Sequence, residues 1–304
     1  MLRAIIAPLL AVLIALPPMQ AEAAERTTLG WPRLFNNDFL GEARDRWRTG
    51  SYWVSMVRGP GWNGVRPEQA GAIIEYRFRG EIITPANLTT PDPSDRPYVG
   101  ALSFGAHTHF RWRNLDVSAG ADLVFTGSQT GLGKFQRSAH KIFGAPEPEI
   151  LDDQIPNGIY PTALVELGQS VSLSDRLLWR PFIEAQAGVE TFVRIGGDFH
   201  FGQAGQVDLF VRDVVTGHRV PVTQAGPIGL SLVAGGDVAY VASSAYLPSS
   251  DGYDVTSPRW RARAGLLWQW DGTQIFYGVT YLGKEFDAQD EGQVVGSLHA
   301  KVRF

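Results

Sequence analysis

The 304-residue chain reads as an all-β protein: a transmembrane antiparallel up-and-down β-barrel of about twelve strands, with one short loop helix. Three observations lead there. Hydrophobic alternation of period two recurs along the chain. The opening residues read as an export signal. Aromatic residues gather near strand ends, as in a membrane girdle. The composition agrees, since 34 Gly, 9 Trp, 9 Tyr and 16 Phe against 3 Met favour strands and turns over a helical bundle. A net charge of −4 argues against a nucleic-acid partner, which needs a strongly basic surface. The lack of cysteine removes disulfide scaffolds, Cys-ligated zinc and thiol nucleophiles. A hydrophobic content of 44% excludes disorder.

The elements follow in order. Met1-Leu2-Arg3 supplies a positive start, Ala4 to Leu16 is apolar, and Pro17-Pro18 ends the run. Ala21-Glu22-Ala23 fits the small-x-small cleavage rule, so residues 1–23 are expected to be a signal peptide and 24–304 the barrel. The apolar run falls short of the roughly 20 residues a spanning helix needs. In Ala72 to Phe78, Ile74, Tyr76 and Phe78 share one face, and Glu75, Arg77 and Arg79 the other. In Ala101 to Trp112, Leu102, Phe104, Ala106, Thr108, Phe110 and Trp112 alternate with Ser103, Gly105, His107, His109 and Arg111. Further candidate strands are Thr162–Leu173, Leu177–Ile195, Val207–Arg212, Ile228–Ala242, Trp260–Trp270, Gln274–Gly283 and Val295–Phe304. Between them lie Gly, Pro, Asp and Ser, as in turns.

Two architectures fit many alternating strands, a soluble sandwich or a membrane barrel. Strand lengths of about ten residues suit a tilted crossing of the bilayer. Trp260, Trp268, Trp270, Phe276, Tyr277 and Tyr281 suit interfacial girdles. The chain ends in Phe304, with Val302, Ala300 and Leu298 on the same face. Such an ending resembles the recognition signal of outer-membrane barrels. It makes the barrel assembly machinery an expected partner, acting through Phe304, and outer-membrane lipids the expected surroundings.

One segment breaks the strand pattern. Lys134 to Phe143 lacks alternation, while Phe135, Ala139, Ile142 and Phe143 fall at helical spacing between Gly133 and Gly144. A helix there puts Gln136 and His140 on one face. The bland reading is a capping loop helix with a surface histidine. A second polar cluster, Asn36-Asn37-Asp38 and then Asp45-Arg46-Trp47-Arg48-Thr49-Gly50, reads as two turns. A functional reading requires Asp38 to point into the lumen or mouth, where a carboxylate can bind a hard cation or orient a histidine.

These motifs, in this order, resemble the lipid A 3'-O-deacylases of the outer membrane, the LpxR type. The matching pieces are Asn37-Asp38, the segment Asp45–Gly50, Ile83-Thr84-Pro85, Asp95-Arg96-Pro97-Tyr98-Val99-Gly100, Gln136 to Gly144, Glu285-Phe286, and Gly296–Phe304. The resemblance implies a twelve-stranded barrel in the bacterial outer membrane. It implies Ca²⁺-dependent hydrolysis of the 3'-linked acyloxyacyl ester of lipid A, or lipopolysaccharide. It places the catalytic histidine on His140, the accompanying glutamine on Gln136, the Asn-Asp pair on Asn37 and Asp38, and the active-site threonine on Thr49.

The chemistry is coherent on its own terms. A neutral imidazole is a suitable base near pH 7, so His140 could deprotonate water. Ca²⁺ takes oxygen ligands, for which Asp38 and Thr49 are candidates beside backbone carbonyls. Asn37 could donate to the oxyanion, and Gln136 could orient the base or the water. Two departures stand out. Ala86-Asn87-Leu88-Thr89-Thr90-Pro91 lacks the basic residue expected after the Pro85 turn, leaving Arg96 or Lys134 as substitutes. Trp47-Arg48 stands where an aromatic residue is usual just before the threonine. The alternatives are a non-catalytic porin-like or structural barrel, and a barrel phospholipase using Ser138. His107 and His109 share a strand face and read as polar lining. The acidic groups at Asp152-Asp153 and Asp287 to Glu291 read as solvated loops.

Overall fold

The computed structural model describes residues 26–302. The expected leader, residues 1–23, and Phe304 lie outside the described residues. The elements are β1 (Thr27–Gly30), β2 (Arg33–Asn37), β3 (Trp47–Gly59), β4 (Ile73–Thr84), β5 (Val99–Trp112), β6 (Leu115–Thr126), α1 (Leu132–Phe143), β7 (Gly158–Gly168), β8 (Val171–Ser174), β9 (Leu177–Ala187), β10 (Glu190–Phe201), β11 (Phe210–Arg212), β12 (Arg219–Pro221), β13 (Gly229–Ser244), β14 (Arg259–Trp270), β15 (Thr273–Leu282) and β16 (Gln293–Val302).

The strands close into an antiparallel barrel of twelve. β1 and β2 together form the first barrel strand, and β2 pairs with β16 through Gly296–Asn37 and Ser297–Asn36 to shut the ring. Closure leaves no sheet edge, which hydrocarbon would not tolerate. Three expected strands come out differently. Leu177–Ile195 is a hairpin, β9 and β10, turning at Gly188-Val189. Thr162–Leu173 splits into β7 and the short β8, which pairs only with β9. Val207–Arg212 contributes to a two-stranded ribbon, β11–β12, that is not part of the wall. Alternation marks a two-sided surface and is blind to which strand lies beside it.

β14 shows why the wall holds. Arg261, Arg263, Leu267 and Gln269 point into the lumen, while Trp260, Leu266, Trp268 and Trp270 face outward. Phe276 is a correction to the girdle reading: it is buried inside, its ring 5.0 Å from that of His218.

The lumen is filled. The segment between β10 and β13 folds back into it, burying Leu209, Phe210, Val211, Val220 and Val222 against Leu34, Trp53, Val57, Ile73, Leu267 and Phe276. Each such side chain contributes up to about 1.5–3 kcal/mol of apolar burial. Arg261 clamps the ribbon's tip through the carbonyls of Val214 at 2.8 Å and Val215 at 2.9 Å. Toward the other end the interior is polar. Arg48 meets Glu81 at 2.6 Å, Glu285 at 2.7 Å and Glu190 at 3.3 Å. At the ribbon's end some polar lining remains: His107 lies 3.1 Å from Asp122, and His109 lies 2.8 Å from Glu75 and 3.0 Å from Ser118.

Candidate active site

The site lies at one rim, where the 38–46 loop, the start of β3 and α1 meet. Long loops at this rim and mostly short turns at the other mark it as the outward-facing end.

β3 enters through a bulge. Trp47 pairs with Thr84 and Gly50 with Ile82, so three steps on β3 oppose two on β4. An extra residue re-aims side chains. Arg48 joins the carboxylates of the lumen, while Thr49 meets the 38–46 loop. Trp47 holds a left-handed φ of 48°, a conformation that costs a non-glycine residue about 1–3 kcal/mol.

Asp38 organises the loop. Its carbonyl accepts N–H groups of Gly41 at 2.9 Å and Glu42 at 2.7 Å. Its carboxylate accepts the Arg46 N–H at 2.7 Å and faces the Thr49 hydroxyl at 3.2 Å. Asn37 fastens the same turn. Its amide donates to the Thr49 carbonyl at 3.0 Å and its oxygen accepts from Phe39 N–H at 2.9 Å. The Thr49 hydroxyl also contacts the Asp45 carboxylate. A hydroxyl has one hydrogen and ionised carboxylates only accept, so this trio is one positive charge or proton short. Burial, with the Asp45 charge adding to it, pushes the Asp38 carboxyl up to about 8, against the pull of the Arg46 N–H and the Thr49 hydroxyl.

α1 brings His140 to the rim. It begins after Gly131 and ends at Gly144, whose φ of 69° and N–H to the His140 carbonyl close the last turn. His140 Nδ1 lies 2.6 Å from the Pro146 carbonyl, which can only accept, so Nδ1 carries the hydrogen. Nε2 then points at Asp45, 3.0 Å away. Gln136, one turn earlier, is buried, and its Oε1 has no hydrogen-bond partner among the described residues.

The helix sits outside the wall. Gly80, between the inward Arg79 and Glu81, and Gly100 face outward. A Cβ on Gly100 would come within 2.6 Å of Thr130 Oγ1 and 3.2 Å of Leu132 Cβ, so this glycine lets the helix start dock. From within the helix, Gly133 packs on Leu151, and Arg137 donates to the Pro148 carbonyl at 3.3 Å. Phe135, Ile142 and Phe143 are 65%, 78% and 84% exposed, which turns the apolar stripe away from the protein. The stripe therefore does not seal a protein core, as a capping helix would.

The structure thus gathers Asp38, Thr49 and His140 around Asp45, with Asn37 and Gln136 beside them. Asp45 escaped the sequence reading as a site residue. It lies in the quoted Asp45–Gly50 segment, but nothing local ties it to His140, 95 positions away. Arg96, a suggested substitute cation, is buried and paired with Glu285 in the lumen. Burial opposes the charge of Glu285, but Arg48, Arg96 and Arg259 hold it below the usual carboxylate range. Lys134 is exposed on the first turn of α1. Ser138 donates to the Lys134 carbonyl at 2.9 Å rather than meeting His140.

The oxygen donors fit a hard cation. Asp38, Asp45, Thr49 and the unpartnered Gln136 amide are the ligand types Ca²⁺ takes. Among the described residues no three acidic or histidine groups form a cage by themselves, so such an ion would also draw on backbone oxygens.

Comparison with known proteins bears on this site. No curated protein matches the chain by sequence. LpxR from Salmonella typhimurium has a similar structure, with a TM-score of 0.74 and 17% identity over 90% of this chain and 100% of that one. The NanC porin gives 0.44 and 6% identity over 90% and 100%, and the translocator domain of the autotransporter NalP from Neisseria meningitidis 0.40 and 12% over 98% and 94%. The family model for "Outer membrane protein LpxR" matches residues 7–304. The chain belongs to the LpxR family of bacterial outer-membrane proteins.

Proposed function

We propose that this rim hydrolyses the 3'-linked acyloxyacyl ester of lipid A in the outer membrane, with Ca²⁺ assistance and His140 as general base. Membership of the LpxR family supports an outer-membrane lipid A deacylase. The observation that carries the finer reading is the chain of contacts from Asp38 through Thr49 and Asp45 to His140 Nε2, set beside an exposed apolar helix face.

The steps balance as an ester hydrolysis. Water that enters between Asp45 and His140 Nε2 gives a proton to Nε2 as its oxygen attacks the ester carbonyl carbon. Asp45 holds the imidazolium so formed. As the tetrahedral intermediate collapses, His140 returns the proton to the sugar oxygen, and the fatty acid leaves. Asn37 stands next to Thr49, where its amide could meet the oxyanion, and Gln136 could orient the water. Ca²⁺, when bound by the Asp38, Asp45 and Thr49 oxygens, would polarise the carbonyl and carry developing negative charge. Phe135, Ile142 and Phe143 would lie among the acyl chains of the outer leaflet, so substrate can approach sideways from the membrane.

Mass spectrometry of lipid A incubated with detergent-folded protein tests this. Loss of one acyloxyacyl unit, blocked by EDTA and restored by Ca²⁺, is expected. His140→Ala and Asp38→Ala should abolish it while the barrel stays folded. Full turnover by His140→Ala would overturn the assignment of the base.

A further inference from the structure

The barrel has a cavity at the end opposite the rim, the periplasmic end. It has a volume of about 230 Å³ and opens between the 60–72 loop, the turn after β5 and the root of the β11–β12 ribbon. A single water needs only about 10–15 Å³ of such space, so the cavity has room for a polyatomic ion with part of its hydration.

Its lining is rich in guanidinium groups: Arg66, Arg111, Arg180 and Arg219. Arg66 donates to the Val117 carbonyl at 2.7 Å, the Ser118 hydroxyl at 3.0 Å and the Phe210 carbonyl at 3.5 Å, and has no ion pair among the described residues. Arg180 is 2% exposed and spends one Nη on Glu166 at 2.7 Å, while its Nε and other Nη are buried with no partner among the described residues. Arg219 lies over the Phe210 ring at 4.9 Å. Among the described residues neither it nor Arg111 has a side-chain hydrogen bond or ion pair. The site is built for this placement: a Cβ on Gly168 would stand 2.4 Å from the Arg180 guanidinium carbon.

The acids on the wall are largely committed elsewhere. Asp198 is held by Arg212 at 2.7 Å and by Arg263. Asp208 accepts the Thr223 hydroxyl at 3.2 Å, the Gln274 amide at 3.3 Å and backbone N–H groups of Ala225 and Gly226. Asp116 lines the same wall, and among the described residues its carboxylate has no hydrogen bond or ion pair. Unpaired buried donors are costly, and planar forks match tetrahedral oxyanions.

We propose that this cavity binds a small soluble oxyanion of the phosphate class from the periplasmic side. The anion lies against Arg219 and Arg111, with the charge of the buried Arg180 behind them, far from the rim that carries His140.

Calorimetric titration of the detergent-folded protein with inorganic phosphate, at ionic strength matched with chloride, tests the assignment. Saturable binding is expected, with Kd weakened at least tenfold by Arg219→Gln and by Arg180→Gln. Arg219→Gln breaks no ion pair and so reports on the site without a folding defect. Deacylation of lipid A by that variant should stay at the wild-type rate. Absence of saturable phosphate binding, or an unchanged Kd in both variants, overturns the proposal. Binding of micellar phosphatidylglycerol without binding of inorganic phosphate overturns the assignment to a soluble ion.

Discussion

Thr49 has one hydroxyl hydrogen and two carboxylate neighbours, and the proposed chemistry of the rim turns on that mismatch. A divalent cation, if bound there as proposed, would resolve it by giving both carboxylates a shared positive partner. Thr49→Val should therefore raise the Ca²⁺ concentration needed for half-maximal deacylation, read from a Ca²⁺ titration in EDTA-stripped buffer. Asp45 has a different duty, because its other oxygen faces His140. Asp45→Asn keeps the shape but removes the charge opposite the imidazolium. We expect kcat to fall about 100-fold, within the range for a positioned acid–base group, with folding unchanged. A rate within twofold of wild type would remove Asp45 from the mechanism. Ser138→Ala should leave turnover intact, since its hydroxyl is bonded within the helix.

At the scale of elements, the bulge in β3 and the docking of α1 set the distances between those residues. The bulge sends Arg48 inward and leaves Thr49 at the rim. The helix is held by small residues where its start crosses the wall and Leu151. Gly100→Val would drive a side chain into Thr130 and Leu132. The expected result is a barrel that still shows heat-modifiable mobility on electrophoresis but deacylates at least tenfold more slowly, because His140 is displaced. The helical spacing at Phe135 to Phe143 was legible in the sequence, and the helix starts two residues earlier than expected. Its orientation was not legible. In water an apolar stripe turns inward, whereas beside a bilayer it turns outward, and spacing alone does not identify the solvent.

For the whole molecule, the filled lumen argues against an open channel. The β11–β12 ribbon closes one half with apolar contacts, and a lattice of arginines and carboxylates fills the other. Planar-bilayer recordings should show no steady conductance from purified protein, and porin-like conductance would contradict this lumen. The ion-pair lattice also bears load for the fold. Glu285→Gln leaves Arg48 and Arg96 short of a buried partner, a loss of about 3–5 kcal/mol. A lower urea midpoint for that variant is the corresponding measurement.

The sequence by itself determined the class of fold and most of the wall. Period-two alternation is a local consequence of strand geometry, and a membrane outside with a polar inside stamps it on each strand. Short motifs also marked Asn37, Asp38, Thr49, Gln136 and His140 for attention. Only the tertiary structure decided that Asp45 joins Thr49 to His140, that the 203–228 segment plugs the lumen, that Phe276 faces inward, and that Arg96 is spent on Glu285. Each of these depends on contacts between residues far apart in the chain, and local spacing carries no record of which distant partner a folded barrel brings within hydrogen-bonding reach.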